Sequence, residues 1–274
     1  MNRNAIVLVA ISALAAVAAS SAALAADPPA TAMTGVLEQP CAGVPIAPTE
    51  AHKASAEWYG NWMHDWLALD WAQHCRYQAE NAALPAAIRR RVVYLGDSIT
   101  EGWKNADPGF FNNEVLDRGI SGQTTAQMLL RLRSDVLELH PQVVHIMAGT
   151  NDVAGNTGAT SLAHIEGNIA SMAELARAHG IRVVLASIPP AAAFPWQPAL
   201  RPAAHIQALN AWLKAYAQRE GFVYADYYSA LANGDGALPP SFSEDGVHPN
   251  AAGYSVMKPI AERSVAQALR RRTK

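Results

Sequence analysis

An α/β fold with a parallel sheet is predicted by three features of the chain. Short β-branched runs recur at Arg91–Leu95, Val115–Asp117, Gln142–Met147, Ile181–Ile188 and Phe222–Ala225. Helical patterns lie between them at Thr125–Leu139, Ser161–His179 and Ala203–Glu220, with a last one from about Ala251 to Arg271. Polar, glycine-bearing segments follow directly on the first three runs. Strands that alternate with helices are joined by crossovers, which build a parallel sheet covered on both faces.

Residues 1–26 carry Arg3 near their start, continue in an apolar run from Ala5 to Ala19, and reach Ala23-Leu24-Ala25, a small-x-small cleavage site. The run is too short and alanine-rich for a good membrane span, so residues 1–25 are expected to be an export signal, with the mature chain starting near Ala26 in the periplasm or outside the cell. Nothing later approaches the ~20 apolar residues of a spanning helix, so no stable membrane insertion is expected after cleavage. Residues 26–85 form a second region. Its start is an irregular leader with Pro28, Pro29, Pro40, Pro45 and Pro48; from Glu50 to Asn81 the pattern turns helical. Trp58, Trp62 and Trp66 are spaced four apart and share one helix face, continued by Leu69. Such a face is expected to pack on the main domain; the alternative is a face that binds sugar or lipid. Cys41 and Cys75 both lie in this region, and an even pair in an oxidising compartment is expected to form one disulfide. A zinc site from Cys75, His64 and His74 lacks a recognised ligand spacing.

Residues 86–274 form the third region. Gly180 and Gly221 stand where left-handed helix caps are expected, and Pro259 should kink or divide the last helix. The chain of 274 residues is half apolar and 16% charged, as a folded globular protein is. A formal charge of −2 leaves no basic excess, which argues against nucleic-acid binding by bulk electrostatics.

The chemistry sits in the segments after the strands. The first run ends in Gly96-Asp97-Ser98-Ile99-Thr100, the second in Arg118-Gly119-Ile120-Ser121-Gly122-Gln123-Thr124, the third in Ala148-Gly149-Thr150-Asn151-Asp152. Open parallel sheets bind ligands beyond the carboxyl ends of their strands, so these three segments converge on one rim. Asp245-Gly246-Val247-His248-Pro249-Asn250 precedes the last helix. Ser98 can stand at a helix N-terminus, where its amide and the dipole face developing negative charge. A serine hydroxyl needs a base to become a nucleophile; His248 can serve, and Asp245, three residues earlier, can orient its ring. Each residue alone has an ordinary structural role, whereas the set in this order is specific. Asp97 and Asp152 are expected to hold the loops that carry Ser98 and Asn151 rather than to bind a metal. No serine lies in a G-x-S-x-G elbow, and the Gly155–Thr160 loop lacks a Walker lysine.

Gly96-Asp97-Ser98, Gly122, Gly149-Thr150-Asn151-Asp152 and Asp245-Gly246-Val247-His248 resemble the four blocks of the SGNH (GDSL) hydrolase family across residues 91–270. The wording from Tyr94 to Trp103 is most similar to the platelet-activating-factor acetylhydrolase-like branch. The resemblance implies a three-layer flavodoxin-like sheet and a serine esterase needing no metal or organic cofactor. It implies Ser98 as nucleophile, His248 as base, Asp245 as its partner, and an oxyanion hole of the Ser98 and Gly122 amides with the Asn151 side chain. Export, the short-acyl character of that branch, and Phe194 and Trp196 on the Pro189–Arg201 loop favour O-acetyl esters of a carbohydrate or small molecule. A lysophospholipase or thioesterase is the alternative within the class; a noncatalytic carbohydrate-binding protein is the alternative outside it.

Overall fold

A computed structural model of the chain describes Cys41, Val44, residues 68–85 and residues 92–271. The expected export signal and Trp58, Trp62 and Trp66 lie outside the described residues. The elements in order are α1 (Gln78–Ala83), β1 (Val92–Gly96), α2 (Ser98–Ala106), β2 (Val115–Gly119), α3 (Thr125–Asp135), β3 (Val143–Met147), α4 (Thr150–Val153), α5 (Leu162–Ala178), β4 (Arg182–Ala186), α6 (Ala203–Glu220), β5 (Val223–Ala225), α7 (Tyr228–Leu231) and α8 (Ala251–Arg270).

All five strands pair in parallel, in the order β2-β1-β3-β4-β5. The fold is the α/β, doubly wound architecture that the sequence predicts. Alternate residues of each strand face opposite layers. Val93, Leu95, Val144, Ile146, Val183 and Leu185 join one core with Met128 and Leu132 of α3, Ile165, Ile169 and Met172 of α5, and Leu209 and Leu213 of α6. Val92, Tyr94, Val184 and Ala186 join the other with Ile99 and Trp103 of α2 and Tyr254, Met257 and Ala261 of α8. A strand covered on both faces has no polar side to show, which explains why these runs read as continuously apolar.

Three expected boundaries shift for local reasons. The helix read over Thr125–Leu139 stops at Asp135 and tightens into a 3₁₀ turn over Leu137–Leu139, with His140 at φ 49° before Pro141. The strand read over Ile181–Ile188 is shorter. Ile188 leaves the ladder because its N–H donates to Asn210 Oδ1 and its carbonyl accepts from Asn210 Nδ2, both at 2.9 Å. The last helix is not divided: α8 runs through Pro259, which lacks the N–H that would bond Ser255 O. Gly180 and Gly221 adopt the left-handed conformation at the ends of α5 and α6, with φ 74° and 73°.

Residues 70–83 pack within the same compact unit as the sheet, and their contacts run to the strand ends. Tyr77 donates its hydroxyl to Gly119 O at 2.5 Å, Gln123 Nε2 donates to Ala72 O at 3.0 Å, and Gln127 Nε2 donates to Trp71 O at 2.8 Å. Cys41 and Cys75 are both disulfide-bonded, which leaves Cys75 no thiolate to offer a zinc ion.

One close approach fixes how α2 meets the sheet. A Cβ on Gly119 would lie 2.2 Å from Glu101 N and 2.8 Å from Asp97 O, both backbone atoms of the turn that carries Ser98. Gly167 sits mid-helix in α5, where an added Cβ meets nothing within 4 Å. Gly119→Ala should therefore lower the thermal midpoint by the equivalent of about 1–3 kcal/mol, as overpacking does. Gly167→Ala should raise it by the equivalent of about 0.5–1 kcal/mol through backbone entropy. Thermal denaturation of the two variants checks both signs; equal and small shifts would refute the close approach.

Candidate active site

The register of the sheet places the site. Gly96 is level with Gly119 on β2 and with Met147 on β3, so the three segments that follow leave the sheet from one row. Ser98 comes two residues beyond that row, Gly122 three and Asn151 four. Asp97 caps α2: its Oδ1 accepts the Ile99 N–H at 2.9 Å, which puts Ser98 in the first helical position. Burial pushes the Asp97 carboxyl up to about 6.

His248 reaches this rim from a loop wound around Asp245. Asp245 Oδ1 accepts from the Val247 N–H at 2.9 Å, the His248 N–H at 2.8 Å and Ser243 Oγ at 3.1 Å. Its Oδ2 accepts from His248 Nδ1 at 2.6 Å, and His248 Nε2 lies 2.9 Å from Ser98 Oγ. The opposite ring nitrogen is thereby left to receive the serine proton. Although partial burial opposes ionisation, hydrogen bonds from His248 and the loop amides hold the Asp245 carboxyl down at about 2. α8 fixes the distance between loop and serine: Tyr254 OH donates to Ile99 O at 2.8 Å, and Lys258 Nζ pairs with Asp107 Oδ2 at 2.6 Å at the far end of α2. Another histidine is excluded from this chemistry. His145 is buried against Tyr94 with a ring nitrogen 2.8 Å from Tyr227 OH, and burial depresses it to about 3.

The remaining residues singled out in the sequence carry N–H donors. Ser98 N–H and Gly122 N–H have no hydrogen-bond acceptor among the described residues. Gly122 takes φ 80°, a conformation that L side chains adopt only at a cost, while the space around it is open. Asn151 Nδ2 donates to Gln123 O at 3.0 Å, which sets the amide against the Gly122 loop with one N–H still available. Asp152 serves the scaffold: it accepts from the Thr125 N–H at 2.9 Å and hydroxyl at 2.6 Å, joining α4 to α3. The geometry therefore brings together all five residues singled out in the sequence: Ser98, Asp245, His248, Gly122 and Asn151. Sequence reasoning missed Arg131, Tyr254, Ser243 and Asn156. Of these, Arg131 left a legible trace, since it stands four residues before Asp135 on the apolar side of α3.

The arrangement is that of a hydroxyl poised for transfer of its proton to an imidazole. The model of the GDSL-like lipase/acylhydrolase family matches residues 94–256, which contain every one of these groups. The chain belongs to that family, a family of ester hydrolases. Esterase TesA of Pseudomonas aeruginosa is 31% identical over 184 residues, covering 61% of this chain and 83% of that esterase. An uncharacterized lipoprotein of Bacillus subtilis, YqeF, is 36% identical over 114 residues, covering 34% of this chain and 46% of the lipoprotein. A solved structure from Bacteroides fragilis, described as an acylhydrolase, superposes with a TM-score of 0.71 at 48% identity over 73% of this chain and 99% of that one.

On β2, ahead of the Gly122 loop, Asp117 accepts the Gly119 N–H at 2.7 Å, and burial raises its carboxyl to about 7. A carboxyl raised on folding takes up a proton, so its contribution to stability declines as pH rises from the unfolded value towards 7. Asparagine keeps the acceptor and cannot ionise. Asp117→Asn should raise the thermal midpoint relative to the parent more at about pH 8 than at about pH 5. An equal difference at both would show that Asp117 is not held protonated.

Proposed function

We propose that the chain is an exported serine esterase acting on short acyl esters, with O-acetyl groups on carbohydrate as the preferred class. The observation that carries the reading is the hydrogen-bonded line from Ser98 Oγ through His248 to Asp245, with links of 2.9 Å and 2.6 Å. His248 Nε2 takes the serine proton as Ser98 Oγ attacks the ester carbonyl. The tetrahedral oxyanion is received by the Ser98 and Gly122 amides and by Asn151 Nδ2. His248 then returns the proton to the leaving alkoxide, and water repeats the sequence on the acyl-enzyme. No step calls on a metal or an organic cofactor. A purely carbohydrate-binding role would leave this line without use.

Two observations support a carbohydrate ester. His248 and Asp245 are more than a third exposed, so the rim can admit a bulky alcohol. Trp196, 41% exposed, stacks on Phe194 at 5.2 Å and lies 6.1 Å from the His248 ring, a flat apolar surface beside the leaving-group side. Export rests on the charged, apolar and small-residue pattern of residues 1–26. Among the described residues no helix is long and apolar enough to cross a membrane.

A chain-length series of p-nitrophenyl esters, run beside acetylated polysaccharide and lysophospholipid, tests the substrate class. Acetyl esters and acetate release from the polysaccharide should be fastest; a preference for long acyl chains or lysophospholipid would reject the carbohydrate reading and leave the esterase. Asn151→Ala should lower kcat by roughly 10²–10³ and leave the hydrolysis detectable, as loss of one oxyanion donor does.

A further inference from the structure

Asn156 and Trp196 lie outside the proposed catalytic groups, yet a continuous hydrogen-bonded line joins them to Asn151. Trp196 Nε1 donates to Asn156 Oδ1 at 3.1 Å, and Asn156 Nδ2 donates to Asn151 Oδ1 at 2.7 Å. Asn151 Nδ2 then donates to Gln123 O at 3.0 Å. We propose that Asn156 is a positioning residue for the oxyanion donor Asn151, held in its working orientation by Trp196. The inference rests on the reading of Asn151 as that donor.

The direction of each hydrogen bond fixes the orientation of the next amide. The two ends of a carboxamide have nearly the same shape, so which end faces a substrate depends on what its partners can accept or donate. An indole N–H can only donate. Trp196 therefore requires the oxygen of Asn156 on its side, which turns the Asn156 nitrogen towards Asn151. That nitrogen in turn requires the Asn151 oxygen, leaving the Asn151 nitrogen for Gln123 O and for an incoming oxyanion. A donor-only group at one end and a carbonyl, an acceptor only, at the other give every amide between them the same sense.

The backbone holds the line in place. Asn156 N–H donates to Asn151 O at 3.0 Å, and Gly158 N–H donates to Gly155 O at 3.0 Å across a turn. Gly155 and Gly158 take φ 73° and 100° in that turn, values that favour glycine. At the outer end the Trp196 ring lies beside His248, in the path proposed for the leaving alcohol. Contact of a substrate with the indole is thus coupled to the group that stabilises the transition state rather than to binding alone.

The test uses the full chain and p-nitrophenyl acetate. Asn156→Asp still accepts from Trp196 but presents an acceptor to Asn151 Oδ1. It should lower kcat roughly tenfold or more, since small misplacements of a preorganised donor are costly, and leave KM within about threefold. Trp196→Phe, which retains a ring and loses the donor, should lower kcat less. In an Asn151→Ala background Asn156→Asp should cost nothing further, as expected for residues acting through one group. Should Asn156→Asp fail to fold, Asn156→Ala, a truncation at an exposed position, carries the same comparison. A kcat for Asn156→Asp within about twofold of the parent, beside an Asn151→Ala loss of roughly 10²–10³, would overturn the proposal. So would a loss that adds in full to that of Asn151→Ala. An Asn151→Ala variant with parental kcat would instead remove the oxyanion reading on which it rests.

Discussion

The Arg131 guanidinium, with no exposed surface, is the interaction on which the rim depends. It donates to Gly96 O at 3.0 Å, to Gln123 Oε1 at 2.5 Å and to Asp135 Oδ2 at 3.1 Å. Those partners are the last residue of β1, the residue after Gly122, and the end of α3. Burying an unpaired charge would cost several kcal/mol, so a cation can remain here only while all three partners stay in reach. The consequence is geometric: the turn bearing Ser98 and the loop bearing Gly122 cannot drift apart without stranding the charge. Asp135 extends the network to Asn81 Nδ2 at 2.9 Å, and Asn81 Oδ1 receives Arg118 Nε at 3.0 Å. The segment before the sheet is thereby part of the support of the site.

A second support acts from the other face. Nothing in the strands places His248, which lies 150 residues from Ser98 along the chain. Tyr254 supplies the link, because its hydroxyl is bound to the carbonyl of Ile99, one residue beyond the serine. α8 starts from Asn250, whose side chain accepts the Gly253 N–H at 3.1 Å, directly after the Asp245–Pro249 loop. Gly253 lets that helix start lie against the loop; a Cβ there would approach Phe242 O to 2.8 Å and Pro249 Cβ to 2.9 Å. The rim is therefore held from both faces of one sheet, by Arg131 of α3 on one and by α8, packed beside α2, on the other.

The sequence made the strands legible because each is buried on both faces, and made the five site residues legible because they cluster just past strand ends or in one turn. Its boundaries were less legible where side chains replace backbone partners, as Asn210 does for Ile188. Of the stretch read as helical from Glu50 to Asn81, residues 68–81 are among the described residues. There residues 71–77 form turns, and the Trp71 and Ala72 carbonyls accept from Gln127 and Gln123 instead of from a helix ladder. Supports such as Arg131, Tyr254 and Asn156 are selected by tertiary distance. A lone aromatic residue in a helix, or an asparagine in a glycine-bearing loop, carries no local pattern that announces its partner, and the spacing of Arg131 to Asp135 announces only one of the arginine's three partners.

Covalent capture tests the central claim most directly. The chain should be treated with a fluorophosphonate, digested and mapped by peptide mass spectrometry, alongside a folded Ser98→Ala variant. The account predicts a single adduct on Ser98, none in the variant, and esterase activity lost in step with labelling. An adduct on Ser121 instead, or full esterase activity in the folded variant, would contradict it.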